Sequence, residues 1–245
     1  MFFNELELLK IRFEELYNTI DKFVLVEATQ THSGKQKPLW YQENKKNYEQ
    51  YADKIIHVII DDFPDDPNPW IKEKFQRDQI VRGLTDVKDS DIVIVSDADE
   101  IPRAQVVKTY NGGYIGKLVQ SCFYYFMNLK GHEWFESSIS RWEYIKNMGC
   151  TGARYVYGTG IFNGGWHFSY LGGWQAIRMK LESFAHQELN NDKYNSEEYI
   201  SQCINKSIDL RGRAVPLMKV EIDSTFPKYV IDNLSYYQSI GYIKS

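Results

Sequence analysis

The hydrophobic positions change period along the chain, and those changes lay out its elements. Leu6, Leu9, Phe13, Leu16 and Tyr17 recur at helical spacing, which predicts an amphipathic helix over 6–17. "KFVLVEA" (22–28), "KIIHVII" (54–60) and "DIVIV" (91–95) are short β-rich runs, and acids crowd around their ends. Between them the pattern predicts helices over 41–51 and 70–84, set off by the Gly- and Pro-marked loops "TQTHSGKQKP" and "DDFPDDPNPW". Strands alternating with helices at these intervals predict an α/β fold. Its sheet would be Rossmann-like and mostly parallel, with right-handed crossovers and helices on both faces. Ligands in such sheets bind beyond the carboxyl ends of the strands, where Glu27, Asp61 and Asp97 fall.

The second half has a different texture. Residues 113–129 read as strands, whereas "GTGIFNGGWHFSYLGG" holds six glycines in sixteen residues and reads as a loop-and-turn surface. "WQAIRMKLESFAHQEL" and 197–208 have helical periods, and "MKVEI" is a short strand candidate. No repeat, low-complexity tract or linker divides the chain, so a single domain over 1–245 is expected.

Composition narrows the classes. A chain of 245 residues with 43% hydrophobic and 15% aromatic residues can bury a sizeable core. A net charge of -4 and the lack of a basic stripe argue against nucleic acid and anionic membrane as partners. Cys122, Cys150 and Cys203 form no CxxC pair, so free thiols in a reducing compartment are expected. No apolar run reaches membrane-span length, and the N-terminal segment carries acids without a small-residue cleavage site. The expectation is a soluble, cytoplasmic protein without a membrane span. Nothing in the pattern signals an oligomeric state.

The chemistry concentrates at "DIVIVSDADEIPR". Asp97 and Asp99 are two residues apart at a strand end, so in extended backbone both carboxylates face one side. A hard divalent cation, Mn²⁺ or Mg²⁺, takes such oxygen ligands, often together with phosphate oxygens. A solvated loop or helix cap is the alternative. Glu100 is read as a cap acid, a support for a ligand or a substrate contact. Arg103 is a phosphate clamp or an ordinary ion pair. Glu27, Thr29, Thr31 and Lys35 are candidates to grip a nucleotide, against a plain solvent loop, and Arg77 is a further candidate on the helix before the third strand. Among glycines that allow close backbone approach, His167 is a candidate site residue, and Trp166 and Tyr170 could stack on a sugar or base. His186 is a second histidine candidate, although either histidine could equally be a satisfied core residue. Neither forms HExxH, which excludes a zinc protease of that type.

"FFNELELLKIRFEELYNTIDKFVLVEATQTHSGKQKP", "IVIVSDADEIPR", "GGWHFSYLGG" and "KLESFAHQE" together resemble glycosyltransferase family 17, the β-1,4-mannosyl-glycoprotein β-1,4-N-acetylglucosaminyltransferases, from about Phe2 to Glu188. The resemblance implies a single GT-A-like domain, with a nucleotide-sugar-binding half (1–105) and an acceptor-binding, metal-completing half (106–245). It also implies a nucleotide-sugar donor, UDP-GlcNAc, a carbohydrate acceptor, and inversion at the anomeric carbon. Carried over by position, Asp97 and Asp99 would bind the metal, with Glu100, Pro102 and Arg103 as companions. Glu27 and the 29–34 loop would lie near the nucleotide. Trp166, His167, Ser183 and His186 match the later family positions, with His167 completing the metal shell by analogy with GT-A enzymes. The stem and anchor of the animal enzymes are not in this sequence, so its acceptor need not be a Golgi N-glycan.

An inverting transfer needs a cation to offset charge on the leaving diphosphate, with Lys180, Arg178 or Arg103 assisting, and a carboxylate base for the acceptor hydroxyl. Glu182 is the expected base, with Glu133, Glu136 and Glu143 as alternatives. The rival readings are a non-catalytic glycan-binding protein and a metal-dependent nucleotidyltransferase; the latter would need an early Gly-rich phosphate loop, which is absent.

Overall fold

The computed structural model describes residues 1–245. In its first half the elements follow the hydrophobic periods. Helix α1 (Leu6–Leu16) leads to strand β1 (Phe23–Ala28), helix α2 (Trp40–Asn44) with a 3-10 stretch, and strand β2 (Ile55–Ile60). Helix α3 (Pro69–Asp78) and a 3-10 turn (Gln79–Gly83) then lead to strand β3 (Ile92–Val95). The chain continues with β4 (Glu100–Pro102), α4 (Ala104–Thr109), β5 (Gly116–Tyr124), β6 (Leu129–Trp134) and β7 (Ser138–Arg141). It closes with α5 (Trp142–Ile145), α6 (Gly149–Tyr155), β8 (Thr159–Ser169), α7 (Gly173–Ser183), α8 (Glu197–Lys206), β9 (Met218–Lys219), α9 (Lys228–Asp232) and α10 (Leu234–Ser239). Residues 70–84 do not form one long helix. The Asn68 side chain caps α3 by accepting from Trp70 N at 3.0 Å. The helix then tightens so that Gly83 lies against Val24, where a Cβ would come within 2.6 Å of a valine methyl.

The expected mostly parallel, Rossmann-like sheet does not form. Strands β1 and β2 do pair in parallel, from Phe23↔Ile55 to Ala28↔Ile60, but they make a two-stranded sheet of their own. The main sheet has seven strands, with the path β3-β7-β5-β6-β9 and with β8 bridging β5 and β4. Every pairing in it is antiparallel except β5 with β8. The reason lies in the connections. The short turn between β5 and β6 allows only antiparallel return, because a parallel crossover needs about a dozen residues or more, and β7 continues in the direction of β6 along β5. The segment between β7 and β8, which carries α5 and α6, is long enough, and there the pairing with β5 is parallel. The strand–helix alternation of the first 95 residues therefore does not extend to the rest. Between β1 and β3 lies an apolar slot of about 140 Å³, lined by Phe23, Leu25, Ile92 and Ile94 with Leu9 and Ile80. Beyond that slot, Val26 and Ala28 of β1 share one buried core with Val93 and Val95 of β3.

The Gly-rich stretch expected as a loop is the longest strand, β8. Its glycines serve close backbone packing. A Cβ on Gly165 (φ +139°) would sit 2.0 Å from the Ile101 carbonyl oxygen. Only glycine lets β8 pair with β4 in the register Glu100↔His167, Ile101↔Trp166, Pro102↔Gly165. The C-terminal helices seal this side, with Phe226, Val230 and Tyr237 packed on Leu8, Trp166 and Phe168. All three cysteines are free and buried.

Gly165→Ala should cost roughly 2–4 kcal/mol, since it combines a forbidden φ with a backbone clash. Gly160→Ala, on the same strand but with its Cβ in ordinary contact with Val119, should change stability by less than about 1 kcal/mol. Urea unfolding of the two variants checks the contrast.

Candidate active site

The turn after β3 carries Asp97, Ala98 and Asp99, and three elements fix it. From α1, Arg12 donates to the carbonyl oxygens of Asp97 (3.1 Å) and Glu100 (2.6 Å) and to Ser96 Oγ (2.7 Å). From β8, Phe168 N donates to Asp99 O at 3.0 Å. From within the turn, Asp97 N donates to Glu100 Oε2 at 2.9 Å.

Glu100 is only 1% exposed, and its carboxylate is saturated. Arg154 grips it with two nitrogens at 3.0 and 2.8 Å, Trp134 Nε1 donates at 2.6 Å, and Ser137 Oγ donates at 2.8 Å. Burial alone would raise this carboxyl, but Arg154 outweighs it and holds the group below its ordinary value. The same Arg154 Nη2 that donates to Glu100 Oε1 also lies 3.1 Å from Asp97 Oδ2, and Arg77 lies 3.6 Å from that Asp97 oxygen. Glu100 is therefore a support for the carboxylate pair.

Asp99 faces different partners. Lys180 Nζ, from α7, donates to its Oδ2 at 2.9 Å, and His167 Nε2 lies 3.5 Å away. Burial disfavours the Asp99 charge, yet Lys180 and His167 overcome it and hold the carboxyl well below the usual range. Lys180 is raised in turn: burial works against its charge, and Asp99 outweighs burial. His167 is pushed up to about 10, because Cys122 (Sγ 3.4 Å from Nδ1) and Asp99 outweigh the cost of burying the imidazolium. Its ring also packs on Trp134, with centroids 4.5 Å apart.

In front of the turn opens a cavity of about 160 Å³ that Asp97, Asp99, Lys180, Thr31, Glu5 and Ser183 help to line. The loop after β1 forms one rim and docks on the end of α7, where Ser33 Oγ donates to Glu182 O at 2.7 Å. His32 and Gln76 line the wall at 2.8 Å from each other, and Gln76 is anchored to Val26 O at 3.2 Å. Burial lowers His32 below its ordinary value, so it is neutral at pH 7.

Several expected site residues lie elsewhere. Glu27 is fully buried and binds Tyr41 N and His57, at 3.0 Å each. Thr29 bonds to Ile60 O. Arg103 stacks on Trp166 (4.2 Å) and donates to Asn163 O and Thr225 O, so both side chains tie loops together. Lys35 pairs with Glu182 at 3.3 Å, and Glu182 also pairs with Arg178 at 3.1 Å; neither Lys35 nor Glu182 lines the cavity. His186 falls beyond the end of α7, against Trp70 and Glu188. Tyr170 lies beneath Lys180, 5.4 Å from its ammonium.

Arg12, Glu5, Trp134 and Arg154 join the site without having been singled out in the sequence. Arg154 sits in a short helix with no motif around it, so only the fold places it. Glu5 did carry a signal, as an acid immediately ahead of the first periodic residue of α1.

No three His, Cys, Asp or Glu side chains converge as a ready-made metal cluster. What could serve a hard cation is the Asp99 carboxylate with His167, 3.5 Å apart; Asp97 Oδ1 is a further unpaired acceptor on the same turn that does not converge with them. That Asp97 oxygen is buried without a hydrogen-bond partner, 3.5 Å from the Met1 ammonium. Substrate phosphate oxygens and water would have to supply the rest.

The comparisons with known proteins converge on one group. Glycosyltransferase family 17 matches over residues 1–217. The β-1,4-mannosyl-glycoprotein 4-β-N-acetylglucosaminyltransferases of Homo sapiens and Rattus norvegicus are each 33% identical over 120 residues, and that of Mus musculus is 32% identical. Each match spans 44% of this chain and 22% of the relative's length. No solved structure matches. With the match reaching from α1 past the whole Asp97–Asp99 site to α8, the chain belongs to glycosyltransferase family 17.

Proposed function

We propose that the chain is an inverting, metal-dependent glycosyltransferase that moves a sugar, GlcNAc from UDP-GlcNAc, to a hydroxyl of a glycan acceptor. The observation that carries this reading is the cavity at the Asp97–Ala98–Asp99 turn. Asp97, Asp99 and Lys180 line it, with the His167 imidazole behind Asp99, in a largely buried frame. The names of the curated relatives support the donor sugar.

A divalent cation held by Asp99 and His167, its other positions filled by phosphate oxygens and water, would supply Lewis-acid stabilisation of the leaving diphosphate. Lys180, ion-paired to Asp99 at 2.9 Å, adds a positive charge on the same side. Thr31, His32 and Gln76 form the rim and wall that would bound the nucleoside, with neutral groups suited to an uncharged base. Arg77 stands behind Asp97 with two guanidinium nitrogens that have no hydrogen-bond partner, which keeps positive potential beneath the site.

For the base, the cavity itself favours Glu5 over Glu182. Glu5 Oε2 accepts from Phe3 N (2.9 Å) and Asn4 N (3.1 Å), which fixes the carboxylate. Its other oxygen has no protein partner, and Glu5 lines the cavity that Asp99 and Lys180 share. A held carboxylate with one free oxygen is what proton removal from an acceptor hydroxyl requires.

Turnover of UDP-GlcNAc with Mn²⁺, measured as released UDP, tests the reading. Asp99→Asn should lower kcat by at least about 100-fold, and Lys180→Met should lower it by roughly 100- to 1,000-fold; wild-type rates in both variants would reject the site. Glu5→Gln keeps the two backbone contacts and removes only the basicity. It should lower kcat for transfer by roughly 100-fold or more and leave the donor Kd within about twofold. The same loss on Glu182→Gln, with Glu5→Gln fully active, would return the base to Glu182.

A further inference from the structure

A second cavity of about 160 Å³ opens on the other side of the Asp99–Lys180 pair. Asn4, Glu5, Glu7, Tyr170, Lys180 and Tyr242 help to line it, with Ala176 at its edge. Glu5, Asp99 and Lys180 belong to both cavities, so these three side chains form the boundary between them. Building on the donor reading above, we propose that this second cavity is the acceptor subsite and that it takes a neutral hexopyranose.

Three observations carry the inference. The first is position: the residues shared with the donor cavity include Glu5, the carboxylate assigned above as base, so an acceptor held here lies beside both the base and the donor cavity. The second is chemistry. Amide, carboxylate and tyrosine groups around an aromatic wall suit the hydroxyls and apolar face of a sugar ring. Three carboxylates against a single lysine leave the cavity negative, which disfavours uronates and phosphorylated sugars. Glu7 is held in place by the Tyr236 hydroxyl, which donates to its Oε1 at 3.1 Å.

The third observation is where the wall comes from. Tyr242 lies beyond residue 217, the end of the family match. It is locked in by Met127 N, which donates to its carbonyl at 2.8 Å, and by stacking on buried Tyr237. The nearby Lys244 N donates to Asn128 Oδ1 at 2.7 Å. A segment outside the shared region thus closes the subsite, which gives this chain its own means of choosing an acceptor.

Ala176 is half-buried at the cavity edge, on the first turn of α7 and outside the buried core clusters, so Ala176→Trp places a ring in the subsite. Saturation-transfer NMR with methyl α-mannoside, methyl β-N-acetylglucosaminide and methyl glucuronide reads this cavity, and UDP binding separately reads the other. The expected result is saturation transfer to a neutral glycoside and none to the glucuronide. In Ala176→Trp, the neutral signal should fall at least about fivefold while the UDP Kd stays within about twofold. A neutral glycoside that fails to bind the wild type, a signal unaffected by the tryptophan, or equal binding of the glucuronide would overturn the assignment. Loss of UDP binding in the wild type would instead count against the donor reading.

Discussion

The site depends on one buried carboxylate, Glu100. With 1% exposure it would be costly to ionise, and it is ionised because Arg154, Trp134, Ser137 and the backbone of Asp97 all donate to it. Those donors come from β6, the β6–β7 turn, α6 and the turn after β3, so a single carboxylate ties together segments more than fifty residues apart in sequence. Removing one partner would leave a buried charge uncompensated, and the segments would lose their common anchor.

Asp97 and Asp99 draw their geometry from that anchor. Arg154 shares its guanidinium between Glu100 and Asp97, while Arg12 clamps the carbonyls on the α1 side. On the far side of the turn, the antiparallel pairing of β4 with β8 sets His167 opposite Glu100 and beside Asp99. Gly165 makes that pairing possible. Local chain chemistry, sheet register and site electrostatics are therefore one problem, solved at the Asp97–Pro102 turn.

Much of this was legible in the sequence. The apolar runs located β1, β2 and β3, and the acids after β3 located the turn. The short spacing of Asp97 and Asp99 marked the cavity, and His167 and Lys180 do meet Asp99. Other features required the three-dimensional fold. The antiparallel main sheet follows from connection lengths in the second half, which the strand–helix rhythm of the first half concealed. The Gly-rich stretch read as a loop because glycine is usually a turn residue, whereas here it permits close strand packing. Glu27 and Arg103 looked like ligand-gripping groups, but their charges are satisfied within the protein. Arg154 had no local signature at all.

The direct test of this account is the affinity of Glu100→Gln for UDP-GlcNAc in Mn²⁺, measured by calorimetry alongside its unfolding transition. The substitution keeps the shape and one of the two acceptor oxygens, removes the charge that holds Arg154, and replaces no residue that lines the cavity. A variant that unfolds cooperatively but binds donor at least about tenfold more weakly would bear out Glu100 as the organiser of the site. A folded variant with wild-type affinity would contradict it.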